Sequence, residues 1–286
     1  MATAVIDGIS TRYDIIGSGP PLLMYAPGGF DATIEKWSTQ GVYATIKPLQ
    51  HLTKDYSCIV FDRREAGSSG GRVERITWQH YVRQGIGLLD HLGIGRAHIM
   101  GGCMGCCSAV ALAVANPDRV LSMVLFWPVG GARYRLNAQQ RFMCHLAFVQ
   151  ANGLSAVVEV ALAGKSFGAD FRGGPWASVI RTDETFARDF AALDPAQYAL
   201  TIAGMSRGLI DRDTAPGAEP EDMMRLPTPV IIVPGSDASH AASAAHFLKE
   251  CIPGSEYCNI PIADQTEIIV MPRLMEFLHK VPLQHT

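Results

Sequence analysis

Charge is scarce in this sequence and is not concentrated anywhere along it. Charged residues make up 18% of the chain, the net charge is −3, and no cluster of lysines and arginines occurs. Because nucleic-acid binding needs a basic patch, we expect no nucleic-acid partner. The 48% hydrophobic content is typical of a compact protein, and 286 residues are enough for one α/β domain with an insertion.

Long apolar runs and a secretory leader are also lacking. No apolar stretch approaches the roughly 20 residues that cross a bilayer, and the N-terminus has neither a basic region nor a hydrophobic segment. The seven cysteines are an odd number scattered through apolar segments, which favours free thiols in a reducing compartment. We therefore expect a cytoplasmic protein without a membrane partner.

No complete set of metal ligands is evident. Cys103, Cys106 and Cys107 have a suggestive spacing, but no second Cys/His pair supplies the remaining ligands of a zinc site. We expect no metal and no cofactor, and a small molecule as the substrate. A homo-oligomer is compatible with the sequence.

Segments typical of strands alternate with segments typical of helices. Apolar strand-like runs occur at 5–6, 13–16, 22–26, 57–61, 97–100, 121–127, 229–233 and 256–261. Apolar residues at helical spacing occur at 39–52, 78–92, 241–251 and 272–280. This alternation predicts right-handed crossovers and a mostly parallel sheet.

The alternation stops after Gly131. Residues 132–224 show helical periodicity and no convincing strand, and a polar, turn-rich segment ends the block. The simplest interpretation is a helical insertion in a core built from residues 1–131 and 225–286.

The segment Gly101-Gly102-Cys103-Met104-Gly105 has the spacing of a nucleophile elbow, with a thiol where serine is usual. It follows a strand-like run and precedes a helix-like one, the context in which the motif forms a sharp turn. An elbow places the thiol at a helix N-terminus, where the dipole favours thiolate. We therefore interpret Cys103 as a reactive residue in preference to a buried structural cysteine.

Four features make the chain resemble the α/β-hydrolase fold superfamily over nearly its whole length. They are the Gly-Gly turn at 27–30, the loop that begins Asp62-Arg63, the elbow, and the strand that ends in Pro-Gly-Ser-Asp237. The resemblance implies an α/β fold with a mostly parallel eight-stranded sheet flanked by helices. It also implies that residues 132–224 form a helical cap over the pocket.

The resemblance assigns roles to matching positions. Cys103 would be the nucleophile and Asp237 the acid, although Asp237 could instead form an Asx turn or cap the next helix. An oxyanion hole would use the backbone N–H of Met104 and that of Gly29 or Phe30.

The catalytic base departs from the superfamily's pattern. The superfamily places a histidine in the loop after the last strand, but residues 261–267 contain none, and Gln265 stands about where it is expected. Three alternatives follow. His240, three residues after Asp237, is the preferred base; His145 could descend from the cap; or the thiolate needs no imidazole.

A thiol at the elbow predicts attack on an activated carbonyl through an acyl-enzyme. We expect a cysteine-dependent hydrolase acting on a small ester, lactone or thioester. Aromatic residues of the cap region suggest an apolar or aromatic substrate, with a pocket lined by Trp127, Phe142 and His145. The alternatives are a lyase, decarboxylase, cyclase or transferase on the same scaffold, or a non-catalytic ligand-binding relative.

Overall fold

The structure is a computed structural model that describes residues 1–281. Within these residues, eight strands form one sheet. The strands are β1 Ala2–Ile6, β2 Ile9–Ile16, β3 Pro21–Tyr25, β4 Ser57–Phe61, β5 Ala97–Gly102, β6 Val120–Phe126, β7 Val230–Val233 and β8 Glu256–Tyr257. Their order across the sheet is β1-β2-β4-β3-β5-β6-β7-β8. The pairings of β1 with β2 and of β2 with β4 are antiparallel, and all others are parallel, which confirms the predicted mostly parallel sheet.

Helices cover both faces of the sheet. They are α1 Lys36–Thr39, α2 Gly41–Ile46, α3 Pro48–Leu52, α4 Trp78–His91, α5 Gly105–Ala115, α6 Ala132–Leu162, α7 Ala177–Thr182, α8 Glu184–Ala191, α9 Pro195–Leu209, α10 Pro220–Met223, α11 Ala242–Cys251 and α12 Glu267–His279. Two apolar clusters result, one on each side of the sheet. Helices α6–α10 occupy the interval between β6 and β7.

Three predicted boundaries are wrong. The helix expected at 39–52 is two short helices, α2 and α3, because the chain turns at Gly41 and at Lys47, both with positive φ, and Pro48 begins α3. The last strand ends at Tyr257, because the chain turns beyond it and Pro261 opens a 3₁₀ turn.

The last helix begins at Glu267 and not at the expected Pro272, which lies inside it. The proline has no N–H, so one intrahelical hydrogen bond is lost. The helix continues because Val270, Met271 and Leu274 are fully buried in the apolar cluster on that side of the sheet.

Helix α6 contains a longer apolar stretch than was expected from the sequence. Among the described residues it is the one helix long and apolar enough to cross a membrane, with a mean hydropathy of 1.3 in its 18-residue window, and 28% of that window is buried. Its backbone is broken at Gly153 (φ 77°, ψ 176°). Phe142, Val149 and Val157 pack into the apolar cluster shared with the other cap helices, so these contacts account for part of its apolar character.

Candidate active site

Cys103 stands on a sharp turn between β5 and α5. Its φ of 56° is in the left-handed region, which is uncommon for a residue other than glycine and is strained. The turn is fixed from both sides: Cys103 N–H donates to the Phe126 carbonyl (3.2 Å), and Cys106 N–H donates to the Cys103 carbonyl (3.1 Å). The side chain is 8% exposed and lines a cavity beneath the cap, so the thiol faces a space that a ligand can enter.

The elbow glycines are required by close backbone approach. A Cβ at Gly101 would overlap the backbone of Gly105 and Cys106, and one at Gly105 would overlap the carbonyl of Tyr25 on β3. These overlaps are with backbone atoms, which cannot rotate away. The glycine spacing of the sequence therefore reports the packing of the turn against the neighbouring strand.

Asp237 and His240 come together in the loop that follows β7. Asp237 Oδ1 accepts hydrogen bonds from His240 Nδ1 (2.8 Å) and from the backbone N–H groups of Ser239 (2.8 Å) and His240 (2.9 Å). The carboxylate thus forms an Asx-type turn and orients the imidazole, which combines the two roles left open by the sequence. The other ring nitrogen, Nε2, is buried and makes no hydrogen bond of normal geometry within the described chain.

The loop that carries His240 is fastened to the end of β6. Gly130 N–H donates to the Ser239 carbonyl (3.0 Å), and Ala241 N–H donates to the Gly130 carbonyl (3.4 Å). The Trp127 indole packs against the imidazole, with ring centroids 5.5 Å apart. These contacts hold the ring in the wall of the cavity that Cys103 lines.

The thiol and the imidazole perturb each other. Burial alone would raise the pKa of Cys103, but His240 and the backbone groups of Gly28 and Met104 outweigh it, so the pKa is lowered. Burial alone would lower the pKa of His240, but the neighbouring Cys103 and then Asp237 outweigh it and raise the pKa to about 9. These directions favour a thiolate–imidazolium pair at neutral pH.

Two backbone groups beside the sulfur could form an oxyanion hole. Met104, predicted from its place after the nucleophile, is one, and Gly28 is the other. Gly29 lines the cavity, and Phe30 turns its ring toward Phe142 and Phe167 at 5.6 Å each. Gly28, with a φ of 121°, was not among the donors predicted from the sequence, and the assignment of Gly29 or Phe30 stays a prediction.

A buried arginine, Arg63, supports the loop that contains Gly28 and Gly29. Arg63 Nη2 donates to the Gly29 carbonyl, and its guanidinium stacks over the ring of Tyr81 at 4.4 Å. Arg63 is 3% exposed. Because the Gly29 carbonyl is bonded to Arg63, the neighbouring N–H groups are held in one orientation.

His145 is wrong as an alternative base and as a pocket residue. It is completely buried inside the cap, where Nδ1 contacts the Phe171 carbonyl (2.8 Å) and Nε2 contacts the Tyr198 hydroxyl (2.6 Å). It lines neither of the two cavities beside Cys103. Burial lowers its pKa to about 4, so it stays neutral and serves to join the cap helices.

The other two predicted pocket residues have different positions. Phe142 lines a small annex of about 80 Å³ next to the main cavity of about 440 Å³. Trp127 lines neither and lies behind His240, so its prediction as a pocket residue is wrong. Trp127 directly follows β6, and its indole contacts Gln265 in the late loop instead of the cavity.

Gln265, in the loop where the superfamily has its histidine, is a buried connector. Its Oε1 accepts from Trp127 Nε1 (2.6 Å), and its Nε2 donates to the carbonyls of Pro234 (2.9 Å) and Ile260 (3.2 Å). The amide therefore ties the late loop to the end of β7 and to the indole that packs on His240. The sequence shows a polar residue at this position, but it does not show which distant groups the amide contacts.

We expect Gln265→Ala to destabilise the protein by about 2 kcal/mol, because it leaves buried polar groups unsatisfied. Urea unfolding followed by circular dichroism measures the change. Gln140→Ala, which removes an exposed amide from α6, is the matched control. A change below about 0.5 kcal/mol in Gln265→Ala would contradict this role.

Within residues 1–281, no group of three or more His, Cys, Asp or Glu side chains could hold a metal ion. Cys106 is buried at the start of α5, with its Sγ against the Gly101 carbonyl (3.1 Å), and burial raises its pKa. The absence of a resident metal stays a prediction.

Known proteins share parts of this sequence. Residues 21–132 match the family model described as the alpha/beta hydrolase fold. A 2-hydroxy-6-oxononadienedioate/2-hydroxy-6-oxononatrienedioate hydrolase of Dechloromonas aromatica is 54% identical over 118 residues, which cover 41% of this chain and 36% of that protein. A putative carbamate hydrolase RutD of Caulobacter vibrioides is 30% identical over 132 residues, covering 44% of each chain. The chain thus matches less than half the length of these curated relatives.

Solved structures match over almost the entire length. The enol-lactonase from Burkholderia xenovorans LB400 has a TM-score of 0.61 at 18% identity, covering 97% of this chain and 100% of that one. The meta-cleavage product hydrolase CumD from Pseudomonas fluorescens IP01, solved as a mutant complexed with acetates, has a TM-score of 0.60 at 18% identity and 98% coverage of both chains. At such identity the likeness concerns the fold. Sheet order, family model and solved structures agree that this chain has the α/β-hydrolase fold.

Proposed function

We propose that this protein is a cysteine-dependent hydrolase that cleaves a small ester, lactone or thioester through an acyl-Cys103 intermediate. The observation that carries the proposal is the 2.8 Å bond between Asp237 and His240 Nδ1, with Nε2 buried in the wall of the Cys103 cavity. This bond orients an imidazole beside the thiol, although the loop at 261–267 contains no histidine.

In the first half-reaction the Cys103 thiolate attacks the carbonyl carbon and a C–S bond forms. The negative charge moves to the carbonyl oxygen, which the N–H groups of Met104 and Gly28 stabilise. When the tetrahedral intermediate collapses, the bond to the leaving group breaks and the His240 imidazolium donates its proton to that group. The products are an acyl thioester and a neutral imidazole.

In the second half-reaction His240 takes a proton from water, and the resulting hydroxide attacks the thioester. The C–S bond breaks, the acid leaves, and the thiolate and imidazolium are restored. The pKa of His240 is raised in the free enzyme partly by the thiolate. Acylation removes that negative charge, so the imidazole holds its proton less tightly when a base is needed.

The names of the similar proteins agree with carbonyl chemistry of this kind. They include hydrolases of a 2-hydroxy-6-oxo dioate, a putative carbamate hydrolase and an enol-lactonase. The lyase, decarboxylase and cyclase alternatives drew on the missing late histidine, and the imidazole of His240 favours hydrolysis over them. We also propose a small-molecule substrate and a cytoplasmic location.

The proposed acyl-enzyme can be detected by its mass. After mixing with excess 4-nitrophenyl butanoate, we expect intact-protein mass spectrometry to show one butanoyl adduct on the wild type and none on Cys103→Ala. Cys144→Ala is the matched control, because Cys144 is the least buried of the seven cysteines and lies on α6. An adduct that persists in Cys103→Ala would contradict the proposal.

A further inference from the structure

Two cavities meet at the oxyanion loop. Gly28, Gly29 and Met104 line both the main cavity and the annex, whereas Cys103 and His240 line the main cavity alone. A substrate carbonyl held by the Met104 and Gly28 backbone groups therefore lies at the junction. His240 protonates the leaving group, so the leaving group extends into the main cavity and the acyl group enters the annex.

The annex suits a short apolar acyl chain. It has a volume of about 80 Å³, and Phe30, Phe142, Phe167 and Ile210 supply apolar walls. The rings of Phe142 and Phe167 contact each other in a tilted arrangement, with centroids 5.2 Å apart. Apart from Arg141 and Tyr134, which also line the main cavity, the residues around the annex are apolar or glycine, so a charged group deep in the annex would lose its hydration without gaining a partner.

One cationic side chain of the main cavity has no charged partner among the described residues. Lys36 is paired with Asp31 at 3.2 Å, and His240 is paired with Asp237. Arg141 on α6 lines both cavities and makes no hydrogen bond or ion pair with the part of the chain that the structure describes. A guanidinium that borders both cavities and has no partner among the described residues has its donors free for an anion.

We propose that Arg141 binds a carboxylate on the leaving group, so that the preferred substrate joins a short apolar acyl group to an acidic leaving group. This inference rests on the proposed function, because it assigns the leaving group to the main cavity from the position of His240. It makes Arg141 a specificity-determining residue that contacts substrate.

The test uses two esters that differ in one charge, 3-carboxyphenyl butanoate and 3-carbamoylphenyl butanoate. We expect wild-type kcat/KM to favour the carboxylate ester by about tenfold, and Arg141→Gln to reduce this ratio to near one, because a charge-assisted hydrogen bond is lost. Arg141→Lys should retain part of the preference. Arg133→Gln is the matched control, since Arg133 is exposed on the same helix and lines neither cavity.

The outcomes separate this inference from the proposed function. Cys103-dependent turnover of the carbamoyl ester reports the hydrolase itself, whatever the ratio. A wild-type ratio near one, or a ratio that Arg141→Gln leaves unchanged, would overturn the role of Arg141. A preference for the monophenyl ester of succinic acid over phenyl butanoate would place the anionic group on the acyl side and would likewise overturn it.

Discussion

Replacing Cys103 by alanine is expected to reduce kcat/KM for an activated ester by at least about 10⁴-fold, the scale on which loss of a nucleophile acts in triad hydrolases. The physical reason is that no other group can take its place. Cys106 and Cys107 are buried, and burial raises the pKa of each thiol well above the ordinary range. The residual rate would come from binding and from the oxyanion hole.

Cys103→Ser tests whether the site is tuned to a thiol. A serine hydroxyl does not ionise at neutral pH, so it depends on a neutral His240 to remove its proton during attack. We expect the kcat/KM of Cys103→Ser to be closer to that of Cys103→Ala than to that of the wild type. Circular dichroism should show that both variants are folded. Steady-state kinetics with 4-nitrophenyl butanoate measures both. Wild-type activity in Cys103→Ala would end the acyl-cysteine mechanism.

Replacing His240 by glutamine is expected to lower kcat by about 10²–10⁴-fold, the usual contribution of a general acid–base group. It should also raise the pKa of Cys103, because burial then acts without the opposing imidazolium. Alkylation by iodoacetamide, followed over pH, reports this directly, since only thiolate reacts. The alkylation midpoint should move to higher pH in His240→Gln.

The pH dependence of the wild type follows from the same two shifts. As pH falls through the lowered pKa of Cys103, the thiolate is protonated and activity is lost. As pH rises through about 9, His240 loses the proton that the leaving group needs, and acylation slows. The loss of activity at high pH should be absent from the pH profile of His240→Gln.

His246→Gln is the matched control for His240, because His246 lies on the neighbouring helix α11, is exposed and stacks on Tyr257. Its pH profile should equal that of the wild type. If His240→Gln kept the wild-type alkylation midpoint, the imidazole would not be the group that stabilises the thiolate, and the base would have to be sought elsewhere.

Local sequence was sufficient to predict those features of the fold that depend on residues close together in the chain. Gly101 and Gly105 predict the sharp turn because a Cβ at either position would strike the backbone of β3 or of the turn itself. The strand runs predict the parallel sheet because their apolar residues are buried on both faces. Boundaries were less accurate: Pro272 was expected to begin a helix, but burial of Val270 and Met271 extends the helix past it.

The sequence favoured His240 as the base because it lies three residues after Asp237, but His145 and a thiolate without an imidazole remained as alternatives. Long-range contacts distinguish them: Gly130 holds the loop of His240 at the cavity wall, whereas Tyr198 and the Phe171 carbonyl hold His145 inside the cap.

The sequence by itself determined the sheet, the helical block between β6 and β7, the elbow at Cys103 and the carboxylate of Asp237 after β7, because these depend on periodicity and on short-range turn chemistry. Only the tertiary structure decided that His240 lines the same cavity as Cys103, that the Gln265 amide joins the late loop to Trp127 and Pro234, and that Arg141 lines that cavity. These depend on which distant segments meet across the carboxyl edge of the sheet, and residue spacing does not encode those distances.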